Sequence, residues 1–512
     1  MTREEALVLL EEMDREITRI SHITAILGWD LQVGGMPSAA ARDRGEQIGW
    51  LETQAHAVSA GKQMEEVLTV LGASPDQPSG NPFLDDRSAA LVRLRYDAWK
   101  KSHALSPDYI RRNAVAVGMA QVAWQKAREQ DDWAAFKPHL ELNVSLARER
   151  AALYGSGDGS PLYDALLDIY EPGMTSVRVD EIFASMESHL RSLLNRISGK
   201  PVPRQDFLHQ NYPVDVQERF SRKVLADMGF DFSRGLTGLS AHPFTTTLGS
   251  HDIRITTNYK DKSVAEPLFS TIHEGGHALY EQAASNDMTS GTSLAGGASL
   301  ALHESQSRLW ENIIARSPAF WTHYYPVFTT LFPHETEGIS RDDFVRAINV
   351  VRPSLIRTAS DEVTYGLHII LRYTLEKALI SGELGVDDLP SAWNDGMERL
   401  LGVRPRNAAQ GVLQDIHWAG GDFGYFPTYA LGNLYGAQFW YAMRRDMGAE
   451  AVDHGIERGD LSLVREWLKN NILRHGSIYT ARTLVEKVTG SPLDAVWFAR
   501  YLDEKYTALY DL

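Results

Sequence analysis

One five-residue segment, His273-Glu274-Gly275-Gly276-His277, constrains this chain more than any other. An α-helix turns about 100° per residue, so histidines at i and i+4 leave the same face and can bind one metal ion. The glutamate between them lies beside the open coordination position and can accept a proton from water there. The two glycines each cost a helix about 1 kcal/mol relative to alanine. We therefore expect a metal-binding helix with Glu274 as general base, approached closely at its glycines by backbone or substrate.

A catalytic metal of this kind usually has a third protein ligand besides its exchangeable water. The motif extension that supplies a third histidine is missing, because Ala283 occupies its position. Glu304 and Glu311 share a face of a helix predicted over residues 299–315. Polar neighbours such as His303 could orient a ligand, which favours Glu304. Glu311 has the pattern of a helix-surface charge.

Composition limits the ligands and partners that the chain can use. The 512 residues include no cysteine, so disulfides and thiolate sites are excluded and a metal must be held by imidazole and carboxylate groups. The segment Met1 to Ala6 lacks the basic and apolar runs of a signal peptide. No apolar run approaches the roughly 18 residues of a membrane span. The net charge of −16 disfavours nucleic acid and anionic membranes. We expect a cytoplasmic protein with no nucleic acid and no membrane as partner.

Helical periodicity dominates the chain and predicts a mainly α fold. No composition shift or repeat separates domains, so a single domain over residues 1–512 is predicted. The segments Gly72 to Pro82 and Gly155 to Pro161 are predicted loops. The N-terminal helices are predicted over residues 4–24, 42–60, 86–104, 107–130 and 139–153.

A stretch just before the metal motif has β character instead. His242 to Leu248 and Asp252 to Thr257 are rich in β-branched residues and enclose a turn at residues 249–251. An edge strand here could pair with an extended peptide, although a surface hairpin fits the pattern equally well. The pattern predicts one small β-sheet beside the metal helix.

A second polar segment, from Gly411 to Pro427, combines ring and amide side chains with glycines, which suits the wall of a site. When a metal-activated water attacks a carbonyl group, a hydrogen-bond donor must stabilise the oxyanion that forms. His417 and Tyr425 are the candidates, with Tyr429 in reserve. The alternative is structural, since a histidine beside a tryptophan is often a satisfied core residue.

Two arginines could bind a substrate carboxylate through paired hydrogen bonds. Arg357 precedes Asp361 at helical spacing, so an intrahelical ion pair is the alternative interpretation. Asp361 could hold Arg357 in place, and Asp252 could do the same for Arg254.

These segments together closely resemble the carboxypeptidase Taq family, the M32 zinc metallocarboxypeptidases. The resemblance covers nearly the whole chain, with departures at Ser360, where the family usually has alanine, and at Ala359, where an acidic residue is common. Six family motifs occur in order: His242-Pro243-Phe244, Asp252-x-Arg254-x-Thr256, the segment from His273 to His277, His303-Glu304-Ser305-Gln306, Ile356-Arg357-x-x-Ser360-Asp361, and Gly411-x-x-Gln414-Asp415-x-His417-Trp418.

The resemblance implies a saddle-shaped helical metallopeptidase of the gluzincin type, similar to angiotensin-converting enzyme and neurolysin, with a deep central groove and homodimeric assembly. It implies removal of C-terminal residues from peptide substrates, with broad specificity and poor action next to proline. The implied cofactor is Zn2+, one per subunit, with Co2+ as a possible substitute.

The resemblance also carries roles onto individual residues. The implied zinc ligands are His273, His277 and Glu304, and the implied general base is Glu274. By analogy with the converting enzyme, His417 and Tyr425 occupy oxyanion-stabilising positions. Expected substrate-binding residues are Arg357, Arg254, His242 and Gln414.

Two alternative functions remain open at this point. The first is a dipeptidyl carboxypeptidase or oligo-endopeptidase acting in the same groove. A carboxypeptidase needs a cation for the terminal carboxylate, and Arg357 and Arg254 meet that need. The second is a catalytically silent, metal-bound peptide-binding scaffold. That scaffold predicts loss of Glu274 or of a ligand, and the chain retains them all.

Overall fold

The computed structural model describes residues 1–155 and 159–512. Within these residues the chain is mostly helical, with a single three-stranded sheet packed beside the helix that carries the metal motif. The predicted fold class, mainly α with one small sheet, is confirmed.

The N-terminal part contains five long helices near the predicted positions and one short helix, α3, that was not predicted. The first helix continues beyond its predicted end and stops at Gly34, whose φ of +91° suits glycine. The predicted loop from Gly72 to Pro82 is present, and the predicted loop from Gly155 to Pro161 includes residues 156–158, which lie outside the described residues. The helices are α1 Arg3–Val33, α2 Ala41–Ser59, α3 Lys62–Val70, α4 Asp86–Ala104, α5 Pro107–Gln130 and α6 Trp133–Tyr154.

The central and C-terminal parts of the chain are also mainly helical. The central helices are α7 Leu162–Leu167, α8 Ser176–Ile197, α9 Val214–Met228, α10 Ala265–Ala284, α11 Leu300–Arg308, α12 Pro318–Leu331 and α13 Arg341–Ala347. The helix predicted over 299–315 is thus α11 followed by a π-helical turn, Leu309–Ile314. The C-terminal helices are α14 Glu362–Ser381, α15 Leu389–Leu401, α16 Pro427–Met447, α17 Ala449–Glu457, α18 Ser462–Asn471, α19 Ala481–Thr489 and α20 Val496–Tyr510.

The sheet has the strand order β1-β3-β2, with β1 Gly235–Leu239, β2 Thr245–Gly249 and β3 Asp252–Thr257. The predicted hairpin is confirmed as the antiparallel β2–β3 pair, although its first strand begins at Thr245 rather than His242. Strand β1, parallel to β3, was not predicted, because its two glycines break the alternating pattern of a strand. A Cβ atom on Gly235 would lie 2.2 Å from the carbonyl oxygen of Ile253, so the strand contact itself requires glycine.

The described residues form two compact units, each built from three separate stretches of chain. The first unit contains Met1–His103, Pro203–Ile348 and Phe439–Pro492, and the second contains Ala104–Val202, Asn349–Gln438 and Leu493–Leu512. Neither unit is continuous in sequence, and the single domain over residues 1–512 stays a prediction. Among the described helices, none is long and apolar enough to cross a bilayer.

Candidate active site

The predicted site residues divide between the two units. The first unit contains His242, Arg254, His273, Glu274, His277 and Glu304, and the second contains Arg357, Gln414, His417 and Tyr425.

Helices α10 and α11 bring the three predicted metal ligands together. The Nε2 atoms of His273 and His277 lie 3.6 and 3.4 Å from the same oxygen, Oε2 of Glu304. The three donor atoms all lie within 4.8 Å of one another. Two imidazole nitrogens and a carboxylate oxygen at this separation match the donor set of a catalytic Zn2+ site.

The two glycines of the motif explain how the helices approach so closely. A Cβ atom on Gly276 would lie 2.7 Å from both the carbonyl oxygen of Gln306 and the Cα atom of Ser307 in α11. A Cβ atom on Gly275 would lie 2.6 Å from Leu225 of α9. The expected close approach at these glycines is therefore confirmed, and the neighbours are the backbone of α11 and a side chain of α9.

The Nδ1 atoms of both histidines are occupied by protein groups. His273 Nδ1 lies 2.9 Å from Oε2 of Glu311, and His277 Nδ1 lies 2.5 Å from Nδ1 of His303. A histidine ring that is hydrogen-bonded at Nδ1 keeps Nε2 available to bind an ion. The hydrogen bond also fixes the orientation of the ring. The residues present thus fit a divalent metal.

Glu304 carries the charge that such a metal requires. Burial raises the pKa of its carboxyl group, but Arg308 and the two histidines hold that pKa well below its usual range. Arg308 donates to Oε1 at 2.7 Å, while Oε2 faces the imidazoles. The carboxylate is therefore ionised and oriented by its own helix.

Glu311 corrects one of the sequence-based expectations. Its side chain is 13% exposed and contacts His273, Arg308 and Arg316, so the interpretation as a helix-surface charge is wrong. Burial raises its pKa, yet the bond to His273 and the charge of Arg308 lower that pKa to about 2. The sequence showed that Glu311 and Glu304 share a helix face. It did not show that Glu311 contacts His273, one of the predicted metal ligands.

Glu274 is buried and held by the sheet. Its Oε2 atom accepts a hydrogen bond of 2.6 Å from Oγ1 of Thr245 in β2. Thr247, two residues further on the same face of β2, donates to Oε2 of Glu281 at 2.8 Å. Sequence reasoning missed both threonines, although the alternation of side chains along a strand places them on one face.

Arg254 is held as predicted. Its Nε and Nη2 atoms donate to the two carboxylate oxygens of Asp252 at 2.8 and 2.7 Å, and the guanidinium lies 5.2 Å from the ring of Trp29. The side chain is 22% exposed, so part of it faces solvent. His242 is an exposed residue of the loop that precedes β2.

In the second unit, Arg357 and Arg372 share one carboxylate. Arg357 Nε and Nη2 donate to Oδ1 of Asp415 at 3.0 and 2.9 Å, and Arg372 Nε donates to Oδ2 at 2.7 Å. Arg357 Nη1 also donates to the Tyr365 hydroxyl at 3.1 Å. Its side chain is only 7% exposed. Two guanidinium groups thus face one carboxylate in a largely buried cluster.

Gln414 belongs to the same cluster. Its Oε1 atom accepts from the backbone N–H of Arg357 at 3.1 Å and from Nη2 of Arg372 at 2.7 Å. Its amide nitrogen donates to the carbonyl of Leu355 at 3.1 Å. Both ends of this amide bind the protein, and its oxygen contacts both arginines.

Asp361 does not hold Arg357, so that expectation is wrong. Residues Arg357–Ala359 form a short 3₁₀ turn, which interrupts the helical spacing on which the expected pair depended. Asp361 instead begins α14 as its N-cap and accepts from the backbone N–H groups of Val363 and Thr364, both at 3.0 Å.

His417 and Tyr425 lie together in an aromatic cluster. The His417 ring is centred 5.4 Å from that of Tyr425, and its Nε2 atom lies 3.3 Å from the Tyr429 hydroxyl. Burial and the charge of Arg357 lower the pKa of His417 to about 4, so its imidazole is neutral at pH 7. A neutral imidazole and a phenol can each donate a hydrogen bond without adding a charge.

A buried carboxylate missed by the sequence reasoning fixes the loop that carries this cluster. Glu376 accepts from Trp418 Nε1 at 2.8 Å and from the backbone N–H of Gly424 at 3.1 Å. Gly424 has a φ of +92°, and a Cβ atom there would lie 2.6 Å from the backbone of Leu166. One buried carboxylate thus binds the segment at both Trp418 and Gly424.

A helical fold with two histidines, a glutamate between them and a carboxylate from the following helix defines a metallopeptidase. Residues 9–506 match the sequence profile of the family described as Carboxypeptidase Taq (M32) metallopeptidase, and the chain belongs to that family. It is a metallocarboxypeptidase, a hydrolase of peptide bonds. The resemblance noted from the six motifs is therefore confirmed.

Relatives of similar length support this assignment. The chain is 39% identical to "Thermostable carboxypeptidase 1" of Thermus thermophilus, covering 100% of both chains. It is 37% identical to "Carboxypeptidase 1" of Bacillus subtilis, covering 97% of each. The crystal structure of the M32 carboxypeptidase from Deinococcus radiodurans R1 superimposes with a TM-score of 0.93 at 35% identity, covering 99% of this chain and 100% of that one.

Proposed function

We propose that this chain is a zinc-dependent metallocarboxypeptidase that removes C-terminal residues from peptides, with broad specificity and poor action next to proline. One observation carries the proposal: three donor atoms of His273, His277 and Glu304 converge beside a glutamate that a neighbouring strand holds in place. The names of the Thermus and Bacillus relatives support the type of cleavage.

The ion would be held by His273 Nε2, His277 Nε2 and Glu304 Oε2. When bound, a divalent ion supplies Lewis-acid polarisation of a carbonyl group and acidifies water. Imidazole and carboxylate ligands suit Zn2+, one per subunit, and Co2+ accepts similar ligands. Metal analysis of the purified chain measures which ion it contains.

Glu274 takes the proton from the attacking water and passes it to the leaving amine. The Thr245 hydroxyl binds one of its carboxylate oxygens, so the carboxylate keeps one orientation. An oriented general base contributes about 10²–10⁴-fold to the rate.

His417 and Tyr425 donate hydrogen bonds to the oxyanion in this proposal. Tyr425→Phe or His417→Ala is expected to lower kcat by about 10²–10³-fold, with a smaller effect on KM, because such bonds form mainly in the transition state. Steady-state kinetics on one free-acid peptide gives both constants.

Tyr170→Phe is the matched control for this prediction. Tyr170 packs edge-to-face on Tyr425 at 5.0 Å, so its ring packing survives the change while a hydroxyl is lost nearby. Parent-like kcat in both Tyr425→Phe and His417→Ala would assign these side chains a structural role only.

Arg357 or Arg254 binds the terminal carboxylate of the substrate, and we place Arg357 first. The guanidinium groups of Arg357 and Arg372 face one carboxylate, that of Asp415, and a further buried anion would offset the remaining positive charge. Arg357→Ala is expected to lower kcat/KM by about 10²–10³-fold on free-acid peptides. C-terminally amidated peptides, which lack the carboxylate, are expected to respond little.

The amidated peptide and Arg254→Ala together control for loss of structure. A general packing defect from Arg357→Ala would slow both kinds of peptide equally. If Arg357→Ala and Arg254→Ala both retain the parent's preference for free acids, the carboxylate is bound elsewhere. Mass analysis of the products separates single-residue removal from the loss of dipeptides or internal cleavage, the two alternative activities.

We also propose that the chain forms a homodimer and acts in the cytoplasm. The family resemblance supports the dimer, and sedimentation analysis of the full chain measures it.

A further inference from the structure

A second imidazole lies directly behind one of the metal ligands. His303 Nδ1 is 2.5 Å from His277 Nδ1, and His303 Nε2 is 2.7 Å from Oε1 of Glu281. The other oxygen of Glu281 accepts from the Thr247 hydroxyl at 2.8 Å. The chain of contacts therefore runs from strand β2 through Glu281 and His303 to His277.

The carboxylate at one end and a metal-binding Nε2 of His277 at the other together determine where the protons lie. An ionised carboxylate can only accept, so Nε2 of His303 carries a proton and donates it to Glu281. A neutral imidazole that keeps a lone pair on Nε2 for a metal carries its proton on Nδ1, so the proton between the two facing Nδ1 atoms belongs to His277 and Nδ1 of His303 accepts it. In this tautomer, Nε2 of His277 presents its lone pair on the side of Glu304.

Helix α11 thus contacts both nitrogens of the His277 ring with consecutive residues. Neighbouring side chains on a helix point about 100° apart. Glu304 faces Nε2 at 3.4 Å, and His303 faces Nδ1 at 2.5 Å. A single helix, α11, therefore holds the His277 ring at both of its nitrogen atoms.

The position of His303 is closely fitted. Its ring stacks on that of Tyr280, with centroids 4.9 Å apart and planes inclined by 21°. A Cβ atom on Gly297 would lie 2.8 Å from Cδ2 of His303, so the backbone is also close to this ring. Little room remains for another ring orientation.

The other histidine ligand is supported differently. His273 Nδ1 meets the carboxylate of Glu311 directly, and Arg308 and Arg316 contact that carboxylate. His277 reaches its carboxylate only through an intervening imidazole, so its orientation depends on His303.

We infer that His303 is a positioning residue that fixes the tautomer and ring orientation of His277 and thereby strengthens metal binding. The inference rests on the proposed metal site of His273, His277 and Glu304. The sequence suggested that His303 could orient Glu304, whereas the contacts assign it to the neighbouring ligand.

Zn2+ affinity of the full chain tests this inference, measured on metal-stripped protein by competition with a chelator. His303→Phe keeps an aromatic ring beside Tyr280 but has no nitrogen, and it is expected to raise the Kd for Zn2+ by about 10–100-fold. His303→Gln offers an oxygen to His277 and an amide N–H to Glu281, and it is expected to recover most of the affinity.

His323→Phe is the matched control, since His323 packs edge-on against Tyr324 at 4.7 Å in α12 and its Kd is expected to equal the parent's. Glu281→Ala retains His303 while removing its acceptor, and it is expected to raise the Kd in the same direction as His303→Phe. This variant keeps the test decisive if His303→Phe does not fold, as judged by its thermal unfolding.

The outcomes separate this inference from the proposed metal site. Parent-like Kd values in His303→Phe and Glu281→Ala, alongside lost binding in His277→Ala, would overturn the role of His303 alone. Parent-like binding in His277→Ala would instead overturn the metal site. A loss in His303→Phe that glutamine does not recover would assign His303 to packing only.

Discussion

Glu274→Gln is expected to retain its metal and to lower kcat by about 10²–10⁴-fold, the range for a lost general base. The amide has nearly the shape of the carboxylate and can still accept the Thr245 hydrogen bond, but it cannot take a proton from water. Because Glu274 is not among the three clustered donors, metal content is expected to match the parent. Metal analysis and steady-state kinetics on the same preparation check both statements.

Glu266→Gln is the matched control for this substitution. It makes the same chemical change in the first turn of α10, where the side chain is 63% exposed and pairs with Lys260. Its kcat and metal content are expected to equal those of the parent. Loss of metal from Glu274→Gln would identify Glu274 as a ligand, and parent-like turnover would remove it from the chemical step.

Helical geometry made the cluster of His273 and His277 predictable from the sequence. The i, i+4 spacing places His273 and His277 on one face of any helix, whatever the rest of the fold does. Glu304 required more, because its choice over Glu311 depended on neighbouring residue types. Both glutamates contact His273, one beside each of its ring nitrogens.

The sequence did not predict the contacts between segments that are distant along the chain. Thr245 holds Glu274 across 29 positions, and Asp415 holds Arg357 across 58. Asp252 could be assigned to Arg254 because the two are neighbours on the same face of one strand. The same reasoning failed for Asp361, since a 3₁₀ turn replaces the helix that the spacing assumed.

The short strand β1 shows a different limit. Its five residues, Gly235–Leu239, include two glycines, so neither β propensity nor alternation identifies it. Those glycines are explained only by the assembled structure, where the Ile253 carbonyl and the Trp29 ring leave no room for a Cβ atom.

His277→Ala is expected to abolish both metal binding and activity. The substitution leaves one imidazole and one carboxylate, too few ligands to hold a divalent ion against water, and it removes the contact of His303 at Nδ1. His273→Ala is expected to act in the same way, because the two rings face the same oxygen of Glu304.

Thermal unfolding gives a readout of this prediction that does not depend on turnover. An ion that binds only the folded chain stabilises it by about 2.7 kcal/mol at a concentration of 100 Kd, so added Zn2+ raises the Tm of the metal-stripped parent. The same addition is expected to leave the Tm of His277→Ala unchanged, while His323→Ala, outside the donor cluster, responds like the parent. Full metal occupancy in His277→Ala would contradict the ligand assignment, and with it the role proposed for every residue that surrounds the ion.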